Sequence, residues 1–432
     1  MAEKIRIILP KKYDLVVGDT FQLFYRGVIE APNPYVYSIV ALCEKGSCFP
    51  RYFEYTPREA GTHKLQLHVY DAARNLLGYG ETILNVVQAK APQKCTNILA
   101  IGDSLTAGGA WVSEVNRRIN DEDGTPAGLG FKNAVNFVGS CHKMNISHEA
   151  YGGWQWECFL INKPGAMWVE YQNNISIENQ HSIWKDVNGA LWQLETLQTD
   201  YIKFNRYKGH TSPIPTEGPL VHEKNAVDTD PIYFKTAFPA GGSPFFDEET
   251  GKVDFLSYVK RNNIASIDAV YVLLGGNGLL STAAMTHSRE EYCQIVVATA
   301  KQLIAKIKEA FPNVKVRIMG QIGMSVNGGM GASYGAELPL ADGYEILHYC
   351  KELDLAYQAW CLEDDCKDYM EFINLSGQFD CENNFPSKLK PVNIRSQKTE
   401  VMGTNGSHPT TDGYMQIADA VYRNVVSSFL SE

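Results

Sequence analysis

Four stretches of this 432-residue chain carry side chains that can do chemistry together. They are Ser104 in Gly102-Asp103-Ser104-Leu105, Gly153 in Tyr151-Gly152-Gly153-Trp154, Asn277 in Gly275-Gly276-Asn277-Gly278, and His408 in Asn405-Gly406-Ser407-His408-Pro409. A serine hydroxyl is a poor nucleophile until a base takes its proton, and histidine is a suitable base near neutral pH. Attack on an ester carbonyl builds negative charge on oxygen. The backbone N–H groups of Ser104 and Gly153 and the Asn277 amide are candidate donors to it, each worth about 2.7–4 kcal/mol of barrier. Glycine at 153 lets the backbone come close to that oxyanion. Taken singly, each residue has a bland reading: a structural serine, a tight glycine turn at Asn277, or a turn with Pro409 at the first helical position. The reading as a site rests on all four together.

The elements that would position them follow from hydrophobic periodicity. Residues 97–101, 135–139, 269–274, 314–319 and 370–375 are short apolar runs, and 269–274 is apolar throughout, as a strand buried on both faces should be. Helical patterns lie between and after them, at 111–120, from Ser288 onwards, at 345–361 and at 411–430. Ser288 and Glu291 have capping-box spacing, and Ile417, Val421, Val425 and Phe429 repeat every four residues. Alternating strands and helices predict a parallel sheet covered on both faces, which binds ligands at the carboxyl ends of its strands. Ser104, Gly153 and Asn277 each follow such a strand, and His408 precedes the last helix.

In this order and these contexts the chain resembles the SGNH (GDSL) hydrolases, over about residues 96–430. The resemblance implies a flavodoxin-like α/β/α sandwich with a five-stranded parallel sheet. It also implies Ser104 as nucleophile, Gly153 and Asn277 as oxyanion donors, His408 as base, and no metal or cofactor. Two positions depart from the family pattern. Gly278 stands where an Asp is usual, which should alter loop packing more than chemistry. Asn405 stands where the family has the Asp that orients the histidine. In a serine-protease triad the equivalent Asp→Asn change lowers kcat about 10⁴-fold. Three alternatives stay open: another acceptor (a backbone carbonyl, Asp412 or another carboxylate) holds His408, the enzyme is slow, or the chain is not an enzyme. The rival reading is a non-catalytic glycan-binding or structural assembly protein that keeps the fold. A nucleotide site at Gly276-x-Gly278 is rejected because Ser281 stands where the third glycine should be.

Residues 1–93 read differently. Period-two alternation at 62–71 (Leu65, Leu67 and Val69 on one face) and strand-like runs at 20–26, 35–42, 51–55 and 79–87 predict a small antiparallel, Ig-like β-sandwich as an accessory domain. Residues 94–432 form the hydrolase domain, with a β-rich insertion at about 160–250 in which 192–197, 202–207 and 231–235 are candidate strands. The first domain is expected to act as a spacer or docking module, the route to a homo-oligomer or larger assembly.

Composition narrows the partners. With 49 acidic against 39 basic residues and a net charge of −10, the chain lacks the basic face that nucleic acid needs. No run of about 18 apolar residues predicts a membrane span. The apolar stretch at the N-terminus is shorter than the roughly 7–15 residues of a signal-peptide core, so cytoplasmic synthesis is expected. A phage-particle component is a further expectation, by analogy alone. Ten irregularly spaced cysteines suggest buried thiols rather than a disulfide scaffold or a zinc site.

Aromatic rings stack on sugars, and five of the seven tryptophans (Trp154, Trp156, Trp168, Trp184 and Trp192) crowd the start of the insertion, with Tyr171 among them. Trp154, next to the oxyanion glycine, and Asp103, next to the serine, are taken as substrate-binding residues. For Trp156 a pocket-lining place and a core place both stay open, while Trp168, Trp184 and Trp192 are expected mainly to form the insertion's core. Polar residues Asn173, Asn174, Asn179, Gln180 and His181 favour an acetylated carbohydrate over a lipid ester.

Overall fold

The computed structural model describes residues 4–160, 166–171, 182–197, 201–206, 217–223, 231–239, 243–247, 249–279, 288–335 and 343–431. The chain forms two compact units: Met1–Gln155 with Ile264–Ile304 and Phe311–Glu432, and Trp156–Asn263 with Ala305–Ala310.

The larger unit begins with seven strands: β1 (Lys12–Val16), β2 (Phe21–Phe24), β3 (Ser38–Leu42), β4 (Ser47–Cys48), β5 (Tyr52–Tyr55), β6 (Gly61–Tyr70) and β7 (Leu76–Val87). They form two sheets, β1-β7-β6-β3 and β2-β5-β4. Leu65, Leu67, Val69, Leu84 and Val86 of one share a buried core with Phe21, Leu23, Phe53 and Tyr55 of the other. The alternation in 62–71 is thus a true half-buried strand. Two expectations need correction. The first sheet is not wholly antiparallel: β1 lies parallel to β7, Tyr13 opposite Leu84. A strand whose chain leaves for another sheet before returning needs no hairpin and can take the parallel edge. Nor does the strand at 20–26 continue past Phe24. Tyr25–Val28 turns helically, and Gly27 lies so close to the Ser376 carbonyl that no side chain would fit there.

The chain then enters a parallel layer with β8 (Thr96–Gly102) and β9 (Val135–Val138), followed by the hairpin β10 (Cys141–Lys143) and β11 (Ile146–Ala150). β9 pairs with the first half of β8 and β11 with its end. This hairpin left only a weak signal in the sequence: its turn puts Met144 and Asn145 at positive φ, and of the two only asparagine favours a turn.

The second unit holds β12 (Ala166–Tyr171), β13 (Ile183–Lys185), β14 (Leu191–Leu197), β15 (Tyr201–Arg206), β16 (Gly218–His222) and β17 (Ile232–Pro239). They close into a barrel in the order β12-β15-β14-β13-β16-β17. Closure removes exposed strand edges, so a β-rich segment can stand without a partner sheet. Trp184 and Trp192 lie in its core with Met167, Val169, Phe204 and Phe234. The Trp192 indole donates to the buried Asp186 carboxylate at 2.9 Å, which also accepts from the N–H groups of Asn188 and Ala190. A short hairpin, β18 (Phe246–Asp247) and β19 (Lys252–Val253), and a helix, Phe255–Arg261, complete the unit. The side chains of Trp168 and Tyr171, and Asn173, Asn174, Asn179, Gln180, His181 and Ser281, lie outside the described residues.

Back in the larger unit, β20 (Ala269–Leu273), β21 (Lys315–Met319) and β22 (Met370–Ile373) extend the layer. β8 pairs with β20, β20 with β21 and β21 with β22, all parallel. The helices Ala110–Asn120 and Thr411–Phe429 bury Trp111, Val115, Ile119, Ile417, Val421 and Val425 in one core with Ile98, Ala100, Tyr271 and Leu273. The intervening Leu99, Ile101, Val270 and Val272 are buried too, so both faces are covered. Ser288 and Glu291 form the expected reciprocal cap before the Arg289–Ala310 helix. Among the described residues no helix is long and apolar enough to cross a membrane.

An ion cluster ties the first strands to this layer. Asp19 bonds Arg118 at 2.6 Å and Arg423 at 2.5 Å, and Arg118 also reaches Asp419 at 2.6 Å. Arg118 lies over the Tyr422 ring, its guanidinium carbon 3.7 Å from the ring centre. Burial alone would raise the Asp19 pKa, but the two guanidiniums outweigh it and hold it below the usual value. Removing this one carboxylate takes the ion-pair partner from Arg423 and leaves Arg118 with Asp419 alone, and breaking a buried pair typically costs about 3–5 kcal/mol. Asp19→Ala should therefore lower unfolding stability by about that amount in urea. A loss under about 1 kcal/mol would show that solvent already screens the cluster.

Candidate active site

Ser104 opens the short helix Ser104–Ala107 where β8 ends. The turn is held by Asp103, whose carboxylate accepts from the Leu105 N–H at 3.0 Å, while Trp111 Nε1 donates to Thr106 Oγ1 at 3.2 Å beneath it. His408 sits between strand β24 (Thr399–Gly403), which pairs with β23 (Ser387–Pro391), and the helix Thr411–Phe429, capped by Thr410. Across 304 positions of sequence, His408 Nε2 lies 2.9 Å from Ser104 Oγ. His408 is exposed as a residue, yet partial burial of its ring lowers its pKa below the usual imidazole value. The ring is therefore neutral at pH 7, the form that can accept a proton from the serine.

Asn277 stands beside this pair. Its amide nitrogen lies 3.1 Å from Asp103 Oδ2 and 3.1 Å from the Trp154 carbonyl oxygen. Its turn is pinned from behind: the Leu274 carbonyl accepts from Gln321 Nε2 at 2.9 Å and from Tyr357 Oη at 3.1 Å. Gln321 is itself fixed, its N–H donating to buried Asp354 at 2.8 Å. A Cβ at Gly278 would lie 2.0 Å from Tyr292 Oη and 2.9 Å from Gln155 Oε1, so any larger residue there would have to displace the tips of both side chains.

Of the two glycines in the second block, Gly153 has φ +77 and open space around it, a conformation that favours glycine. Gly152 is the nearer to Ser104: a Cβ on it would lie 3.9 Å from Ser104 Cβ.

Two expectations about substrate contact change. Asp103 is only 3% exposed, and its carboxylate is taken by Leu105 and Asn277, so it braces the site rather than facing a substrate. Burial raises its pKa to about 7, against the lowering effect of backbone N–H donors. The Trp154 ring is 5% exposed and stacks on Tyr151 with centroids 4.1 Å apart, leaving little face for a sugar. Trp156 is equally buried.

Asn405 does not point at the imidazole. Its Oδ1 accepts from the N–H groups of Ser407 at 3.0 Å and His408 at 2.9 Å, an Asx turn that shapes the loop. Among the described residues no carboxylate lies within ion-pair distance of His408. The nearest polar partner of its other nitrogen, Nδ1, is Ser407 Oγ at 3.5 Å. Sequence reasoning missed this serine, although it adjoins the histidine, because spacing does not say which neighbour a ring nitrogen faces.

No protein-family model matches the chain, and no curated protein matches it. Several solved structures do. A peptidoglycan O-acetylesterase covers 78% of this chain and 92% of its own, at 13% identity and TM-score 0.33. A carbohydrate esterase family 2 enzyme with a carbohydrate-binding domain, from Corynascus thermopiles (Myceliophthora fergusii), covers 98% of this chain and 99% of its own at 12% identity and TM-score 0.28. An extracellular lipase from Streptomyces rimosus covers 75% and 99% at 12% identity and TM-score 0.27. Likeness at this level assigns neither an activity nor site residues to this chain.

Because Asn405 faces backbone N–H groups, which an aspartate would accept from equally well, Asn405→Asp should leave any His408-dependent rate within about threefold. A gain of about 100-fold or more in kcat/KM would mean that the side chain at 405 reaches the imidazole.

Proposed function

We propose that this protein is a serine ester hydrolase of the SGNH type that removes short acyl groups, O-acetyl above all, from carbohydrate. The observation that carries this reading is the 2.9 Å approach of His408 Nε2 to Ser104 Oγ where β8 ends. Ser104 attacks the ester carbonyl while His408 takes its proton. The same proton then goes to the departing sugar oxygen as the acyl–serine bond is left behind. Water, deprotonated by His408, then attacks the acyl carbonyl, and the carbon–Oγ bond breaks as His408 returns the proton to Ser104 and the acid leaves. Ser104 N–H, an N–H at Gly152 or Gly153, and the Asn277 amide receive the oxyanion, Asn277 turning one hydrogen from the 3.1 Å contact with Trp154.

Supporting the assignment is the strand arrangement. The layer has seven strands, β11 also pairing with the end of β8; with the β10–β11 hairpin set aside, the order β9-β8-β20-β21-β22 is the 2-1-3-4-5 that a flavodoxin-like reading calls for. Its switch point lies between β8 and β20, whose loops carry Ser104 and Asn277. The acyl and sugar preferences rest on the resemblance of the four sequence blocks and on the polar character of the insertion. Residues 1–93, two sheets over one core, serve as a sandwich-like accessory module through which the protein docks or assembles.

One observation favours a second reading, a non-catalytic glycan-binding or assembly protein: Asn405 turns to the backbone, and among the described residues the imidazole has no acid partner.

Hydrolysis of p-nitrophenyl acetate separates the two. The wild type should turn over, and Ser104→Ala should lose at least about 10³-fold. Since the base works only when unprotonated, kcat/KM should fall as pH drops, with a midpoint below the ordinary imidazole pKa of about 6.5. Acetate release from acetylated glycans should exceed turnover of long acyl esters. No Ser104-dependent turnover, or a preference for long chains, overturns the reading or its substrate class.

A further inference from the structure

The loop that carries His408 is clamped by a short helix, Gly329–Tyr334, contributed by the connection after β21. Three contacts make the clamp. The Gly406 N–H donates to Ser333 Oγ at 2.9 Å, the Ser325 N–H donates to the Gly406 carbonyl at 3.0 Å, and Tyr334 Oη lies 3.2 Å from Ser407 Oγ. The fit is close: a Cβ on Gly406 would lie 2.7 Å from Met330 Cα. The outcome is a chain of four polar groups, Ser104 Oγ, the two nitrogens of His408, Ser407 Oγ and Tyr334 Oη, with separations of 2.9, 3.5 and 3.2 Å.

Direction follows from donor and acceptor counts. For His408 Nε2 to accept from the serine hydroxyl, Nδ1 must carry the ring hydrogen. That hydrogen needs an acceptor, and the Asn405 side chain is already used by backbone N–H groups. Ser407 Oγ can accept it while giving its own hydrogen to Tyr334 Oη.

We propose that Ser407, backed by Tyr334, is the positioning residue that holds His408 in the tautomer able to deprotonate Ser104, in place of a carboxylate. The proposal rests on the hydrolase reading for its catalytic meaning but not for its structural content. A hydroxyl orients the ring as a carboxylate does, yet brings no charge to stabilise the imidazolium. The chain therefore relies on orientation alone, where the carboxylate-based triad combines orientation and charge.

The test pairs kinetics with imidazole nitrogen NMR on ¹⁵N-histidine-labelled full-length protein. In the wild type His408 should be the Nδ1–H tautomer above its pKa. Ser407→Ala should move the population towards Nε2–H and lower kcat about 10–100-fold with KM within about twofold. Ser407→Thr, which keeps the hydroxyl, should restore both, and Tyr334→Phe should have a smaller effect in the same direction. An unchanged tautomer and kcat in Ser407→Ala overturn the proposal while leaving a Ser104-dependent hydrolase intact. Absence of Ser104-dependent turnover in the wild type instead ends the hydrolase reading, and the nitrogen spectra of wild type and Ser407→Ala still decide whether Ser407 sets the tautomer.

Discussion

A hydrogen bond between a nucleophile and its base tolerates little error, since displacement by an ångström can forfeit about 10²-fold in rate. In the proposed hydrolase its two ends would be Ser104 and His408, from segments 304 residues apart, and most of the larger unit can be read as what fixes their separation. Ser104 is held by the end of a central strand buried on both faces. His408 is held by a hairpin on one side, a capped nineteen-residue helix on the other and the Gly329–Tyr334 clamp beneath. That long helix also buries Ile417, Val421 and Val425 against the sheet, in the core that β8 shares, so both ends of the contact are referred to one rigid body.

Burial of polar groups around the site supplies the rest of the order. Asp103 and Asp354 are both buried carboxyls whose pKa values burial raises to about 7. Each is bonded to a group that holds an active-site turn: Asp103 to Leu105 and Asn277, Asp354 to Gln321. Lys351 is likewise buried, its pKa pushed down to about 8, and it donates to the Arg26 and Ile29 carbonyls of the N-terminal segment. An unpaired buried polar group costs much more than an exposed one, so satisfied networks of this kind enforce one geometry. Since residues 1–87 contribute to them, the N-terminal sheets brace the α/β layer that bears the site.

The sheet strands were legible because each is a short, continuous apolar run, and the helices because Ile417, Val421 and Val425, or Ser288 and Glu291, carry period and cap signals that sequence alone displays. Order and strand-end context singled out Ser104, Gly153, Asn277 and His408, and the structure puts His408 Nε2 2.9 Å from Ser104 Oγ and Asn277 3.1 Å from Asp103. What the sequence hid is tertiary. The β10–β11 turn carries only Asn145 as a signal, with a methionine at its other positive-φ position. The parallel β1–β7 pair depends on a return of the chain. Asp103 and Trp154 looked available to substrate because adjacency in sequence says nothing of which way a side chain is buried. Asn405 looked like a damaged acid position; in three dimensions it is a loop-shaping residue, and the partner of the imidazole lies beside it at Ser407.

The central claim is that Ser104 is a nucleophile activated by His408. The measurement that tests it most directly is intact and peptide mass spectrometry after exposure to a fluorophosphonate, which reacts covalently with activated serines and needs no knowledge of the natural ester. The wild type should gain a single phosphonyl group located on Ser104, and His408→Ala should react far more slowly. A wild-type protein that stays unmodified, or that is modified elsewhere with Ser104 untouched, would contradict the account.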